Sequence, residues 1–307
     1  MKKLSPLNER DLRALRIFRV AAQARGFSAA ERLLGMTKAT ISRQIKDIED
    51  RLGARLCTRG PQGFELTDVG RAALRATQEA LDALDRIRPE VDAARQVLSG
   101  KLALGLTDNV IGNPAVRIHL ALGALCRMAP DVDLTVETLT TRELIRALLD
   151  RRLHVAIKGV YERVASLEYA DLFTEQHYIY ALAEGSATIN GATAMAKPGR
   201  HLPLIYRAEQ PFVEDALQKQ GFRRGPEAFG LESVATLIAT GYYSGILPAH
   251  YAALLSPRIP MQVIDDTPRY KVTFSAVFNN ARPLPRSAEV LVELLAAEHA
   301  TPGGPAR

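Results

Sequence analysis

The chain reads as an α/β protein with an N-terminal winged helix-turn-helix: short amphipathic helices and a tight hairpin, one long helix, then strands alternating with helices. Three observations predict this. Residues 28–45 hold two helical patterns separated by Gly35 and Thr37. The first 67 residues carry 14 Lys+Arg against 7 Asp+Glu, whereas the rest of the chain carries 26 against 27. Beyond Gly100, apolar runs of strand length alternate with helix-period segments, the order of a parallel sheet covered by helices.

The elements follow in order. Residues 10–25 form a first helix with Leu12, Leu15, Phe18, Ala21 and Ala22 along one stripe. Ser28 and Glu31 have capping-box spacing, which starts the second helix at Ala29. Gly35 ends it, and Thr37 is the next N-cap. Ile41, Ile45, Ile48 and Leu52 then make a buried back. Lys38, Thr40, Arg43 and Lys46 make a basic, hydrogen-bonding front. A helix of this kind packs on its domain while presenting base-reading groups to a major groove. The competing reading is an ordinary amphipathic helix with a solvated face, Arg43 being held by Asp47 at i+4. Two extended pieces around Gly60, Pro61, Gln62 and Gly63 read as a hairpin wing, with Arg55 and Arg59 beside its tip.

Residues 68–98 have an apolar seam of Ala80, Leu84, Ile87, Val91, Ala94 and Leu98 at spacings of four and three, which suits helix–helix association. Pro89 lies within the seam and is expected to kink or split the helix. Ser99 and Gly100 mark the expected domain boundary. Strands follow at 102–107, 132–137 and 154–157, with helices at 114–128 and from Thr140 to Asp150, Thr140 and Glu143 forming a cap. A less regular set has strands near 169–173, 178–183, 203–206 and 244–247, and helices near 211–220, 232–240 and 248–255. A strand at 271–278, a helix at 287–299 and a frayed tail at 301–307 close the chain.

The distribution of charge fits a polyanion-binding module joined to a neutral body. No run of 18 apolar residues marks a membrane span, and no apolar segment follows Lys2 and Lys3 as in a secretion signal, so a cytoplasmic protein is expected. Cys57 and Cys126 fit a reducing compartment and read as small buried hydrophobes. The six histidines have no zinc-site spacing, and no phosphate-binding or dinucleotide fingerprint is present. Gly241 to Gly245 is one residue too long for a nucleophile elbow. No enzyme, metal or cofactor is therefore expected.

The N-terminal block resembles the LysR-type transcriptional regulators. The resemblance rests on Phe18, Val20, Ala21, Phe27, Ser28, Ala29, Ala30, Leu33, Ile41, Ser42, Arg43, Gln44, Ile45, Ile48, Glu49, Leu52, Gly53, Leu56, Arg59, Leu66, Thr67 and Gly70. It continues more loosely through Leu231, Glu232 and Ser233 to Gly245 and Pro248. It implies a winged helix-turn-helix (1–67), a linker and dimerisation helix (68–99) and an effector-binding domain (100–300). The last has two Rossmann-like α/β subdomains, 100–168 with 270–300 and 169–269, and is periplasmic-binding-protein-like. The implied partners are promoter DNA, a small effector, a second copy or a homotetramer, and RNA polymerase. The chain departs from the family pattern at Thr37, Lys38, Ala39 and Thr40, where Ser-Gln-Pro-Ala is usual, at Cys57 in place of Phe, and at Lys158 in place of an acid.

Base reading is assigned to Lys38, Thr40, Arg43 and Gln44, and phosphate contact to Ser28, Thr37, Ser42, Lys46, Arg55 and Arg59. An effector between the subdomains would meet Thr107, Asn109, Lys158, Tyr206, Arg207 and Ser233, at strand ends and a helix start. Two cations and several hydroxyls there favour a carboxylate, the alternative being that Lys158 and Arg207 are merely solvated. A solute-binding protein and a regulator that needs no effector are the competing functions.

Overall fold

A computed structural model describes residues 6–60, 63–95, 97–183, 199, 201–207, 210–264, 269–281 and 283–300. The expected tail at 301–307 lies outside them. The chain divides into two compact units, Met1–Arg88 and Pro89–Arg307.

The N-terminal unit begins with α1 (Glu9–Gln23). Asn8 caps it, accepting from the amides of Arg10 and Asp11, while the Asp11 carboxylate accepts from the Asn8 amide. The same carboxylate receives Arg51 Nε at 2.9 Å, which ties the end of α3 (Lys38–Leu52) back to the start of α1. Between them, α2 (Phe27–Leu34) starts two residues earlier than Ser28 capping would allow. Its N-cap is Gly26, with no side-chain capping bond, because Phe27 is drawn into the core and meets Phe64 edge-on at 5.5 Å. Glu31, freed from capping, accepts instead from the Lys38 amide. Gly35 has the left-handed φ of +61° that turns the chain between α2 and α3.

The wing is the hairpin of β1 (Cys57–Gly60) and β2 (Gly63–Leu66), with Pro61 and Gln62 outside the described residues. Phe18, Ile41, Ile45, Ile48 and Leu56 are fully buried and form the centre of this unit's core. The long helix α4 (Asp68–Ala94) runs unbroken through Pro89, which forgoes the bond to the carbonyl four residues back but does not split the helix. It stops before Leu98, which packs instead on the core of the C-terminal unit, so Leu98 leaves the expected helical seam.

The C-terminal unit opens as expected with β3 (Gly100–Leu106), α5 (Ile118–Met128), β4 (Val132–Thr138), α6 (Thr141–Leu149) and β5 (Val155–Val160). A short 3-10 turn at Val110–Gly112 lies in the β3–α5 loop. Thr140 and Glu143 form the expected capping box on α6. β3 pairs in parallel with both β4 and β5.

The strands read near 169–173 and 178–183 are one strand, β6 (Leu167–Leu182). Nothing between Phe173 and Tyr178 turns the chain: Thr174, Glu175, Gln176 and His177 lack glycine and proline. Next come β7 (Leu204–Tyr206), α7 (Pro211–Lys219), β8 (Arg224–Glu227), α8 (Leu231–Ala239), β9 (Gly245–Pro248), α9 (Ala249–Leu255) and β10 (Met261–Val263). β11 (Tyr270–Asn279) and α10 (Arg286–Ala300) complete it. β8 carries Pro226 and pairs only with β7, and β10 has three residues; neither has the pattern of a strand in sequence.

β6 is shared by two groups of elements. Along 167–177 it pairs antiparallel with β11, which pairs with β5; along 177–182 it pairs with β9 and β10. One sheet therefore runs through both halves of this unit.

Candidate nucleic-acid interface and effector region

The presentation of α3 is set by local bonds. Thr37 Oγ1 accepts from the Thr40 amide at 3.3 Å and lies 2.9 Å from Thr40 Oγ1, which fixes the first turn. Lys38 and Arg43 are exposed on this helix, as is Lys46 one turn further on, while Thr40, Ser42 and Gln44 are half-buried. Among the described residues no hydrogen bond or ion pair joins Arg43 to Asp47, so its guanidinium is not held at i+4. Ser28 is exposed in the first turn of α2, where backbone amides and the helix dipole favour an anion.

Between α3 and the wing lies an open groove of about 660 Å³ lined by Ser42, Lys46, Glu49, Asp50, Gly53, Ala54, Arg55 and Cys57. Glu49 does not simply add negative charge there. Its Oε1 accepts from the amides of Leu56 at 2.7 Å and Cys57 at 3.2 Å, fastening the wing to α3. Thr67 Oγ1 donates to the Arg55 carbonyl at 2.7 Å and accepts from the Gly70 amide at 2.9 Å, which joins the wing to α4. Gly70 has no room for a side chain, since a Cβ would stand 1.8 Å from the Leu56 carbonyl oxygen. Arg55 is exposed; the Arg59 side chain lies outside the described residues.

Along α4, Ala80 and Ala94 are exposed, as are Leu84 at 41%, Ile87 at 56% and Val91 at 49%. Thr77 and Leu81, on another side of the helix, are buried.

In the C-terminal unit the six expected effector residues lie on β3, β5, β7 and α8 or just after them. Thr107 follows β3, and its amide donates to the Ile157 carbonyl on the adjacent strand β5. Lys158 is 1% exposed, not at an open mouth. It shares a face of β5 with Ala156, which packs with Leu144, Ala147 and Leu148 of α6. Its Nζ donates to the Gly159 carbonyl at 2.8 Å, and burial pushes its pKa down to about 8. Thr107 Oγ1 is buried without a hydrogen-bond partner.

Asn109 and Arg207 come together through Asp108, whose carboxylate lies 3.9 Å from Arg207 Nη2 and accepts from the Leu231 amide at the start of α8. His250 Nε2 is 3.3 Å from the Asn109 carbonyl. Tyr206 turns elsewhere: the Arg224 guanidinium covers its ring at 3.6 Å, and a hydrogen bond with Glu214 pushes its phenol up. Ser233 is exposed on α8. Cys126 is also exposed, contrary to its expected burial, because Ile118, Ala121 and Leu125 define the buried face of α5 and Cys126 is one step beyond it.

Comparison with known proteins now decides the family. Residues 12–71 match the bacterial regulatory helix-turn-helix protein, lysR family, and residues 95–300 match the LysR substrate binding domain. The chain belongs to the LysR family of transcriptional regulators. Such regulators have a helix-turn-helix DNA-binding domain and an effector-binding domain, and are not enzymes. A curated LysR relative, the HTH-type transcriptional activator BauR of Pseudomonas aeruginosa, is 36% identical over 274 residues, covering 84% of this chain and 87% of that one. TcbR of Pseudomonas sp., a HTH-type transcriptional regulator, is 26% identical over 283 residues, covering 90% and 95%. Crystal structures of CbnR, a LysR family regulator, match in fold. One has a TM-score of 0.63 at 23% identity, covering 94% of this chain and 99% of that one. Another, of full-length CbnR complexed with target DNA, has a TM-score of 0.61 at 22% identity over the same shares.

Sequence reasoning missed Glu175, His177, Asn113 and His250, which form a buried polar group. Asn113 Nδ2 donates to Glu175 Oε1 at 3.3 Å, His250 Nε2 lies 3.8 Å from that oxygen, and His177 Nε2 is 3.2 Å from Glu175 Oε2. Glu175 and His177 at i, i+2 broke an apolar run and so read as a loop, although that spacing also places both on one face of a strand. Glu175 pairs with Val272, whose side chain belongs to the core cluster under α5 and α10, so Glu175 and His177 face away from Lys158. Among the described residues no helix is long and apolar enough to cross a membrane.

Proposed function

We propose that this LysR-type regulator acts in the cytoplasm, binding operator DNA through α3 and the wing and pairing with a second copy along α4. A small carboxylate effector in the C-terminal unit sets its activity. The observation that carries this is the exposed pair Lys38 and Arg43 at the front of α3, above a groove walled by Lys46 and Arg55. Lys38 and Arg43 reach base edges together with Thr40 and Gln44, a lysine at this position favouring guanine O6 and N7. Ser28, Thr37, Ser42, Lys46, Arg55 and Arg59 meet phosphates. The DNA complex of CbnR supports that placement by fold.

The exposed stripe of Ala80, Leu84, Ile87, Val91 and Ala94 supports association through α4. A dimer then reads two half-sites, and further contacts between effector domains build a tetramer. The unsatisfied Thr107 hydroxyl and Arg207 beside Asp108 support an anionic effector. Its binding changes the spacing of the DNA-binding pairs and their contacts with RNA polymerase. Footprinting of the chain on the DNA upstream of its own coding region tests this reading. Two protected half-sites are expected, lost in the Lys38→Ala, Arg43→Ala double variant; protection unchanged in that variant contradicts it.

A further inference from the structure

Phe212, the second residue of α7, gathers an aromatic group in the C-terminal unit. Its ring stacks on Tyr270 with centroids 4.4 Å apart and meets Tyr161 and His177 edge-on. Beside it are two buried polar atoms without a hydrogen-bond partner, Gln210 Nε2 and His177 Nδ1, in residues that are each 3% exposed. Gln210 is the N-cap of α7 yet makes no side-chain capping bond, and it lies beside the Tyr161 phenol. Arg207 and Asp108 act on that same phenol, as does Glu175, so these groups share one neighbourhood.

The unpartnered atoms differ in kind. The ring tautomer that donates from His177 Nε2 to Glu175 Oε2 carries a lone pair at Nδ1. An amide nitrogen such as Gln210 Nε2 only donates. A ligand that satisfies both needs an acceptor for Gln210 and a donor for His177. Leaving either atom unpaired in a buried site is costly, so the site discriminates against ligands that lack one of the two.

We propose that this site recognises a small carboxylate that also carries a hydrogen-bond donor, a hydroxyl or an amine. The carboxylate meets Gln210 Nε2 and Arg207, and the donor meets His177 Nδ1. The proposal rests on the reading of the effector as a carboxylate and adds the donor requirement, with Glu175 as the residue that positions His177.

Thermal unfolding of the full chain in sodium propionate, sodium lactate and alanine at matched ionic strength tests it, since the three share a carbon skeleton. Lactate or alanine is expected to stabilise the C-terminal unit at concentrations at least tenfold below propionate, and the better of the two identifies hydroxyl or amine. Glu175→Gln erases that preference, because an amide can donate to Nε2 and turn Nδ1 into a donor. Gln210→Ala weakens binding of all three. Equal stabilisation of the wild type by all three overturns the donor requirement while leaving the carboxylate reading in place. A preference that survives Glu175→Gln overturns the role of His177. No stabilisation by any of them overturns both readings of the effector. Without any variant, the nitrogen-15 resonance of His177 Nδ1 should move with lactate or alanine and not with propionate; a resonance indifferent to all three contradicts the proposal.

Discussion

Lys38 and Arg43 differ from Lys46 and Arg55 in what their loss should change. A side chain that reads a base edge discriminates between sequences, whereas one that meets phosphate strengthens every duplex alike. Lys38→Ala and Arg43→Ala should each cost about 1–3 kcal/mol on the operator and little on a scrambled duplex. Lys46→Ala and Arg55→Ala should weaken both duplexes equally and reduce the salt slope by about 1 each. Competition titrations with the two duplexes separate these outcomes. Lys158 gives a second residue-level prediction. Its folded pKa, about 8, lies below the usual 10.5, so between these values the unfolded chain binds the extra proton and stability rises with pH. Lys158→Met removes the buried ammonium and should stabilise the C-terminal unit near pH 7, by about 3 kcal/mol at most. That advantage should shrink steadily from pH 8 to pH 10 in denaturant titrations of the two proteins; an advantage independent of pH contradicts it. The position of Lys158 on a strand was legible in sequence, but its burial was not, because a cation after a run of apolar residues looks the same whether it ends the run or lies under a helix.

Elements were legible where one local rule governed them. Thr140 and Glu143 announced α6, Gly35 and Thr37 announced the turn before α3, and the Gly/Pro-rich tip between two short extended pieces announced the wing. Ser28 and Glu31 obeyed the capping rule in sequence but not in space, because burial of Phe27 outweighs one capping bond and Glu31 has a better partner in the Lys38 amide. β6 was obscured by Glu175 and His177, polar residues that only long-range partners, Asn113 and His250, make tolerable inside a sheet. At this scale Thr67 is the joint between wing and α4. Thr67→Ala removes one donated and one accepted bond and should lower the stability of the N-terminal unit by about 1 kcal/mol, measured by chemical denaturation. The seam of α4 is tested by Leu84→Glu with Ile87→Glu. Sedimentation should show association in the wild type and monomers in the double variant, with the two units still folded; an unchanged assembly would place the contact elsewhere.

For the molecule as a whole, the concentration of positive charge in the first 67 residues ties the family's function to a measurable force. A neutral C-terminal body leaves the polyanion to the N-terminal unit, and neutralised phosphates release counterions in proportion to their number. The DNA affinity of the full chain, followed by fluorescence anisotropy on a duplex from its own upstream region, should therefore fall linearly with the logarithm of salt concentration. The slope should become shallower in Lys46→Ala and Arg55→Ala, and selectivity over scrambled DNA should drop in Lys38→Ala and Arg43→Ala. Failure to bind that duplex in dilute buffer, or binding with the same slope and selectivity in all four variants, contradicts the assignment of the N-terminal unit as the DNA grip.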